Sequence, residues 1–225
     1  MISIYGNCQA NEIHNMLLLS KNFVNKHGTD SYIAMNFVFI KQFNPIDEII
    51  ENFKKTKILI YQPLPEKYYP YSTDNLLKHL PKDCVKISSP YIFNDAIWGY
   101  PVDGNYKDAV DGDFVLSNQY ENSVERFYYN LDITKEKENG TTLKISDFIE
   151  KNYRDMELFY TQNHLNPVVI KELCRQILSY LEIEDDLYDL NLDSYKTAYG
   201  DFRWPITKKA KDQFGFRYPI KYREI

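Results

Sequence analysis

Residues 2–19, ISIYGNCQANEIHNMLLL, change period part-way through. Ile2–Tyr5 is a short β-rich run. From Gln9 to Ser20 the apolar residues Ala10, Ile13 and Leu17 return on one helical face. A strand therefore passes into a helix across Gly6, Asn7 and Cys8, and the glycine permits a tight turn there.

The same alternation continues to Ser89. YIAMNFVFI (32–40) reads as a strand. NPIDEIIENFKK (44–55) reads as a helix, with Asn44 as its cap, Pro45 at the first helical position and acids in the first turn. KILIYQ (57–62) is a continuous apolar run of the kind found in buried parallel strands. Ser72 or Thr73 can cap DNLLKHL (74–80), and CVKISS (84–89) is a fourth strand. This order predicts an α/β fold: a parallel sheet flanked by helices in three layers, with right-handed crossovers.

The C-terminal half reads as mainly helical. NQYENSVERFYYNL (118–131) and ISDFIEKNYRDMELF (145–159) are expected helices, and KEKENG (135–140) a solvated loop. The clearest helix is NPVVIKELCRQILSYL (166–181). There Asn166 caps, Pro167 starts, and Val169, Ile170, Leu173, Ile177, Leu178 and Leu181 form an apolar stripe. Cys174 falls in that stripe and reads as packing. No repeat or Pro/Gly/Ser-rich linker divides the chain, so residues 1–225 are read as a single domain.

A net charge of −5 with both signs interspersed argues against broad nucleic-acid binding. No apolar run approaches the ~18 residues of a membrane span. The N-terminus lacks the basic region and cleavage site of a secretory signal, so a cytoplasmic protein is expected. Cys8, Cys84 and Cys174 are odd in number and far apart, which fits reduced thiols rather than a disulfide framework or a zinc site; no metal is expected.

Ligands of parallel sheets bind beyond the carboxyl ends of the strands. YGNCQ, YQPLP and SSPYIF all fall at such ends. In the first, Cys8 stands where the amides of a new helix have no internal partners and carry the positive end of its dipole, which favours a thiolate and suits an oxyanion. The layout resembles a nucleophile elbow. A small buried cysteine in a β–α turn is the plainer alternative.

A nucleophilic cysteine needs a base. His14 lies six positions along the same helix, roughly 9 Å up its axis and pointing away. His27 reads as a surface loop residue and His79 as a helix-end residue. His164, in FYTQNHLNP just ahead of the Asn166–Pro167 helix start, belongs to a loop able to reach another element and is the best available base.

GNCQ near the N-terminus, ILIYQPL and VKISSPYIF in the middle, and TQNHLNP late in the chain together resemble the WcbI-type family of polysaccharide-biosynthesis acetyltransferases, related in fold to SGNH hydrolases. The resemblance implies Cys8 in the place of the SGNH serine nucleophile and His164 in that of the general base. It further implies Gln62 as an oxyanion donor beside the Cys8 and Gln9 amides of the Gly6–Asn7 turn, and Asn94 as a substrate-positioning amide. The implied donor is acetyl-coenzyme A, and the implied acceptor is a sugar hydroxyl on a glycan or nucleotide-sugar precursor of a capsular or surface polysaccharide. Two positions depart from the pattern. Thr161 stands where SGNH hydrolases usually carry aspartate, which favours a Cys–His dyad over a triad, and Leu165 follows the histidine where proline is frequent.

Coenzyme A carries phosphates. Arg203, Lys208, Lys209 and Arg217 in the tail offer cations for them, with Trp204 as a ring platform; a solvated basic helix face is the alternative. A thiol-dependent esterase or deacetylase, and a non-catalytic carbohydrate- or nucleotide-binding module, are the rival functions. The pattern of residues leaves the oligomeric state open.

Overall fold

The computed structural model describes residues 1–37, 42–98, 123–198, 200, 203, 204, 206 and 208–220. Residues 38–40 of the second expected strand and 118–122 of the expected helix from Asn118 lie outside the described residues, as do the side chains of Lys208 and Lys209.

The strands β1 (Ile2–Gly6), β2 (Ser31–Phe37), β3 (Gln42–Phe43), β4 (Ile58–Tyr61) and β5 (Val85–Ser88) form one sheet in the order β3-β2-β1-β4-β5. Four of them are parallel, and their register places Ile33, Ile4, Ile60 and Ile87 in one row across the sheet. Ile4, Ile60 and Ile87 are fully buried in a large apolar cluster. Each such side chain contributes roughly 1.5–3 kcal/mol by leaving water.

That cluster is completed by α1 (Cys8–Leu17), α5 (Val124–Glu138), α6 (Ser146–Asn152) and α7 (Pro167–Tyr180), with α1 packed along α7. Successive strand residues point to opposite faces, so Tyr5, Ala34 and Leu59 enter a second cluster with Ile49 and Phe53 of α3 (Ile46–Phe53) and Leu76 of α4 (Thr73–Leu76). Two further helices are α2 (Lys21–His27) and α8 (Lys208–Phe214). No helix of the described residues is long and apolar enough to cross a membrane.

The sheet is mixed, which corrects the all-parallel expectation. β3 pairs antiparallel with β2 through Asn36↔Phe43 and Phe37↔Gln42. Only residues 38–41 separate the two strands, and a parallel return needs a crossover of a dozen residues or more. Asn44 also departs from expectation. Its side chain accepts from the Met35 N–H at 2.8 Å, Pro45 takes the cap position of α3, and no side chain caps that helix. Asn166 caps α7 as its sequence predicts, accepting from Val168 N–H at 3.0 Å. The residues KEKE of the expected solvated loop complete α5 instead. Lys and Glu are good helix formers, and Asn139–Gly140 is the first break.

Candidate active site

β1 delivers the chain to Asn7, whose extended backbone and side chain begin α1. Asn7 Oδ1 accepts from the Gln9 N–H at 2.9 Å. Cys8 is thus the first residue of the helix, half-buried. Burial pushes its thiol from the ordinary 9.0 up to about 11, helped by the Glu12 carboxylate one turn on. The N–H groups of Gln9 and Cys8 pull the other way, as the helix N-terminus requires, but less strongly. The expected thiolate is therefore corrected: at neutral pH the sulfur carries its proton, because desolvation outweighs the helix end.

Gly6 is needed for space. A Cβ there would lie 2.5 Å from the Ala10 Cβ and 2.8 Å from Gln62 Oε1. Gln62, at the end of β4, reaches over this gap and accepts from the Asn7 N–H at 3.1 Å. Its Nε2 donates to Gln9 Oε1 at 3.0 Å. Gln9 also accepts from Ile92 N–H at 3.2 Å and donates from Nε2 to the carbonyls of Ile92, at 2.7 Å, and Asn163, at 2.8 Å.

Backbone groups fix both amide orientations, since an N–H only donates and a carbonyl only accepts. Gln9 is saturated, whereas among the described residues Gln62 keeps one N–H beyond its bond to Gln9. The Gln9 backbone N–H is engaged by Asn7 and the Asn7 N–H by Gln62. Among the expected oxyanion donors this leaves the Cys8 N–H and the second Gln62 hydrogen.

The Gln9 amide ties the histidine loop to the cysteine turn. That loop turns back on itself: Tyr160 N–H donates to the His164 carbonyl at 2.8 Å, Asn166 N–H to the Leu158 carbonyl at 2.9 Å, and Leu165 bridges Phe159. Thr161, at the position of the missing aspartate, accepts from the His164 backbone N–H at 3.2 Å and so shapes the loop. Burial lowers the His164 pKa, so its imidazole is neutral at neutral pH and able to take a proton.

Asn94 is 2 % exposed. Its Nδ2 donates to the Phe127 carbonyl at 3.2 Å and its Oδ1 accepts from Ala96 N–H at 3.2 Å. This amide fastens its loop to α5.

Cys8 opens onto a crevice of about 760 Å³, within the range of small-molecule sites. Asn7, Cys8, Asn36 and Gln62 form its floor at the carboxyl ends of β1, β2 and β4. One wall is Tyr61 and the segment that follows it, with Lys67, Tyr68, Asp74 and Leu77. The other is Tyr91, Lys137, Gly140, Thr141 and Asn163. Among the described residues the loop contributes Asn163 to the lining, and neither His164 nor Asn94 is part of it.

Tyr91 and Lys137 went unseen in the sequence. The Lys137 ammonium donates to the Tyr91 carbonyl at 3.1 Å and lies 5.2 Å from the Tyr91 ring centroid. Lys137 is an exposed residue, yet its charged end is partly desolvated in the crevice, which lowers its pKa. Burial raises the Tyr91 hydroxyl, the nearby Cys8 sulfur adds to this, and the Asn163 side chain opposes it.

The tail's described cations are engaged elsewhere. Arg203 pairs with Glu157 at 2.8 Å and stacks on Tyr160, Arg217 pairs with Asp155 at 2.6 Å, and Trp204 meets Trp98 edge-on. The crevice takes its cations from Lys67 and Lys137. Among the described residues no group of three or more His, Cys, Asp or Glu could hold a metal ion.

The family model described as polysaccharide biosynthesis enzyme WcbI matches residues 1–114, half of the 225. The chain belongs to the WcbI family. The matched part contains Cys8, Gln9, Gln62 and Tyr91 and ends before His164. A solved structure of WcbI, a polysaccharide biosynthesis enzyme, is similar with a TM-score of 0.64 at 19 % identity, over 99 % of this chain and 81 % of that one. At that identity the likeness concerns the fold. The WcbI form concerned is the native protein without a disulfide bond between coenzyme A and one of its cysteines. No curated protein matches the chain.

Proposed function

We propose that the chain is a coenzyme A-dependent O-acetyltransferase of polysaccharide biosynthesis, moving an acetyl group from acetyl-CoA to a sugar hydroxyl with Cys8 as nucleophile and His164 as base. The observation that carries this reading is the place of Cys8: the first residue of α1, open to a crevice with Lys137 at its wall. Coenzyme A is named together with a cysteine of the WcbI relative, in a form without a disulfide between the two, and this supports coenzyme A as the ligand. The crevice fits it in volume and offers cationic and neutral donors for phosphates.

In this reading His164 takes the Sγ proton as the sulfur attacks the thioester carbonyl. The Cys8 N–H and the free hydrogen of Gln62 stabilise the oxyanion. His164 returns the proton to the departing thiolate of coenzyme A, leaving acetyl-Cys8. It then draws the proton from the acceptor hydroxyl, which attacks the acetyl carbon, and the Cys8 sulfur leaves and is reprotonated. A thiol raised to about 11 needs such a base, and a neutral imidazole can serve as one. The kinship with SGNH hydrolases, the single domain and a cytoplasmic setting belong to the same reading.

Intact-protein mass spectrometry after incubation with acetyl-CoA tests it. An acetyl adduct is expected on the parent, absent in Cys8→Ala and slow in His164→Ala. Hydrolysis of simple acyl esters with no response to coenzyme A would favour an esterase, and failure to bind coenzyme A would overturn the reading.

A further inference from the structure

The two walls of the crevice come from opposite faces of the sheet. Tyr61 and Tyr68 pack with the cluster of α3 and α4, whereas Lys137 extends from α5, whose apolar side belongs to the other cluster. Their chemistry differs as well. The Lys137 wall presents an ammonium and Asn163 beside Tyr91 and Thr141, with the Tyr91 hydroxyl buried, the Thr141 hydroxyl donating to the Leu143 carbonyl at 3.0 Å, and no carboxylate among its described lining residues. Phosphate oxygens accept only, so this set suits them. The opposite wall carries both a cation, Lys67, and an anion, Asp74. The Lys67 ammonium lies 5.2 Å from the Tyr68 ring centroid, and Asp74 is exposed, its carboxylate close enough to raise the Tyr61 hydroxyl.

A carboxylate repels phosphate but accepts from hydroxyl groups. An aromatic ring offers a flat apolar surface to a ligand that is apolar on one side. The Asn36 amide, on the floor beside it, both donates and accepts. Rings with mixed-sign polar groups match a molecule whose many hydroxyls both donate and accept around an apolar ring face.

We propose that Tyr68, Asp74 and Asn36 form a carbohydrate subsite, which takes a neutral pyranose against the Tyr68 ring with its hydroxyls shared between the Asp74 carboxylate and the Asn36 amide, and leaves the Lys137 wall to the phosphates of coenzyme A. The assignment rests on the coenzyme A reading above and adds to it where the acceptor binds.

Two measurements test it on the full chain. In saturation-transfer NMR with a panel of methyl hexopyranosides, the parent transfers signal to at least one sugar, and Asp74→Asn and Tyr68→Ala each weaken that binding about tenfold. In calorimetric titration with coenzyme A, Lys137→Met weakens affinity about tenfold while Asp74→Asn changes it less than about twofold. No transfer to any sugar, or transfer indifferent to both substitutions, overturns the subsite. So does tighter coenzyme A binding by Asp74→Asn together with weaker binding by Lys67→Met, which would put the phosphates on this wall. Sugar binding without an acetyl adduct removes only the chemistry; an adduct without sugar binding removes only the subsite.

Discussion

The side-chain amide of Gln62 donates to Gln9 Oε1 at 3.0 Å, and that bond joins the ends of two strands to two loops. Gln62 holds the Asn7 N–H, while Gln9 holds Ile92 and Asn163. The turn bearing Cys8 is thus fixed from three directions, by Gln62, Ile92 and Asn163, before any ligand arrives. Such a fixed arrangement is what an oxyanion site requires, because donors already in place cost no reorganisation when charge develops.

Gly6→Ala removes the space under this network. The new Cβ would meet Ala10 Cβ at 2.5 Å and Gln62 Oε1 at 2.8 Å. Overpacking of this kind costs about 1–3 kcal/mol, and each kcal/mol lowers Tm by about 2–4 °C in a chain of this size. Thermal unfolding checks the cost, and adduct formation from acetyl-CoA is expected to slow because Gln62 is displaced. An unchanged Tm would show that the helix shifts aside freely.

Gln62→Leu separates a structural role from a catalytic one when compared with Gln62→Glu. Leucine leaves the Asn7 N–H and one lone pair of Gln9 without partners, at about 1–3 kcal/mol for each buried group. Glutamate keeps the acceptor for Asn7 but loses the spare N–H that the oxyanion would use and, while ionised, the donor to Gln9 Oε1. Both variants should lose about 10²–10³ in kcat, with coenzyme A affinity retained in Gln62→Glu. A Gln62→Glu enzyme of parental kcat would remove Gln62 from the oxyanion site.

Much of the frame was legible because punctuation and period agree locally. Gly6–Asn7 after Ile2–Tyr5, and Asn166–Pro167 before an apolar stripe, each carry their own signal. The Gln9–Gln62 bond has no such signal. It exists because β1 and β4 pair with Tyr5 opposite Tyr61, which brings Gln62 beside Gly6 and within reach of Gln9 three residues further on. Lys137 was hidden for a related reason: in a run of Lys and Glu every residue looks solvated, and only the packing of α5 brings one ammonium over Tyr91. Asn94 misled in the opposite sense. It lies at a strand end where ligands bind, yet both ends of its amide close a loop.

The thiol of Cys8 sets an alkaline limit. Its folded pKa of about 11 exceeds the ordinary 9.0, so the unfolded chain loses this proton first as pH rises. The contribution is fully present below pH 9 and is lost as pH rises through about 11. His164 acts on the acid side: burial lowers its pKa below 6.5, so its contribution is present above that value and is lost as pH falls through the folded pKa. Stability measured against pH is expected to fall on both flanks. Cys8→Ser should flatten the alkaline flank and His164→Gln the acid one. Alkylation by iodoacetamide offers a direct check, since at pH 9 only about a hundredth of Cys8 is thiolate rather than half.

Gln9→Glu tests the network through its own titration. A carboxylate at this position can still accept from Ile92 N–H and Gln62 Nε2, but it faces the carbonyls of Ile92 and Asn163, which also only accept. Two acceptor–acceptor contacts and burial of the charge both favour the protonated acid, which can donate to one of the carbonyls. The folded pKa of the introduced carboxyl is therefore raised above its unfolded value, so the stability it contributes is present at low pH and lost as pH rises through the folded value. The variant is expected to approach the parent's stability in mildly acid solution and to fall behind it toward neutrality, with the histidine loop loosening as the Asn163 contact fails. Denaturant unfolding at a series of pH values reads the first effect, and amide exchange at Asn163 and His164 the second. A variant that lags the parent equally at every pH would mean that the loop carbonyls reorient, and that Gln9 is not what fastens the loop to the cysteine turn.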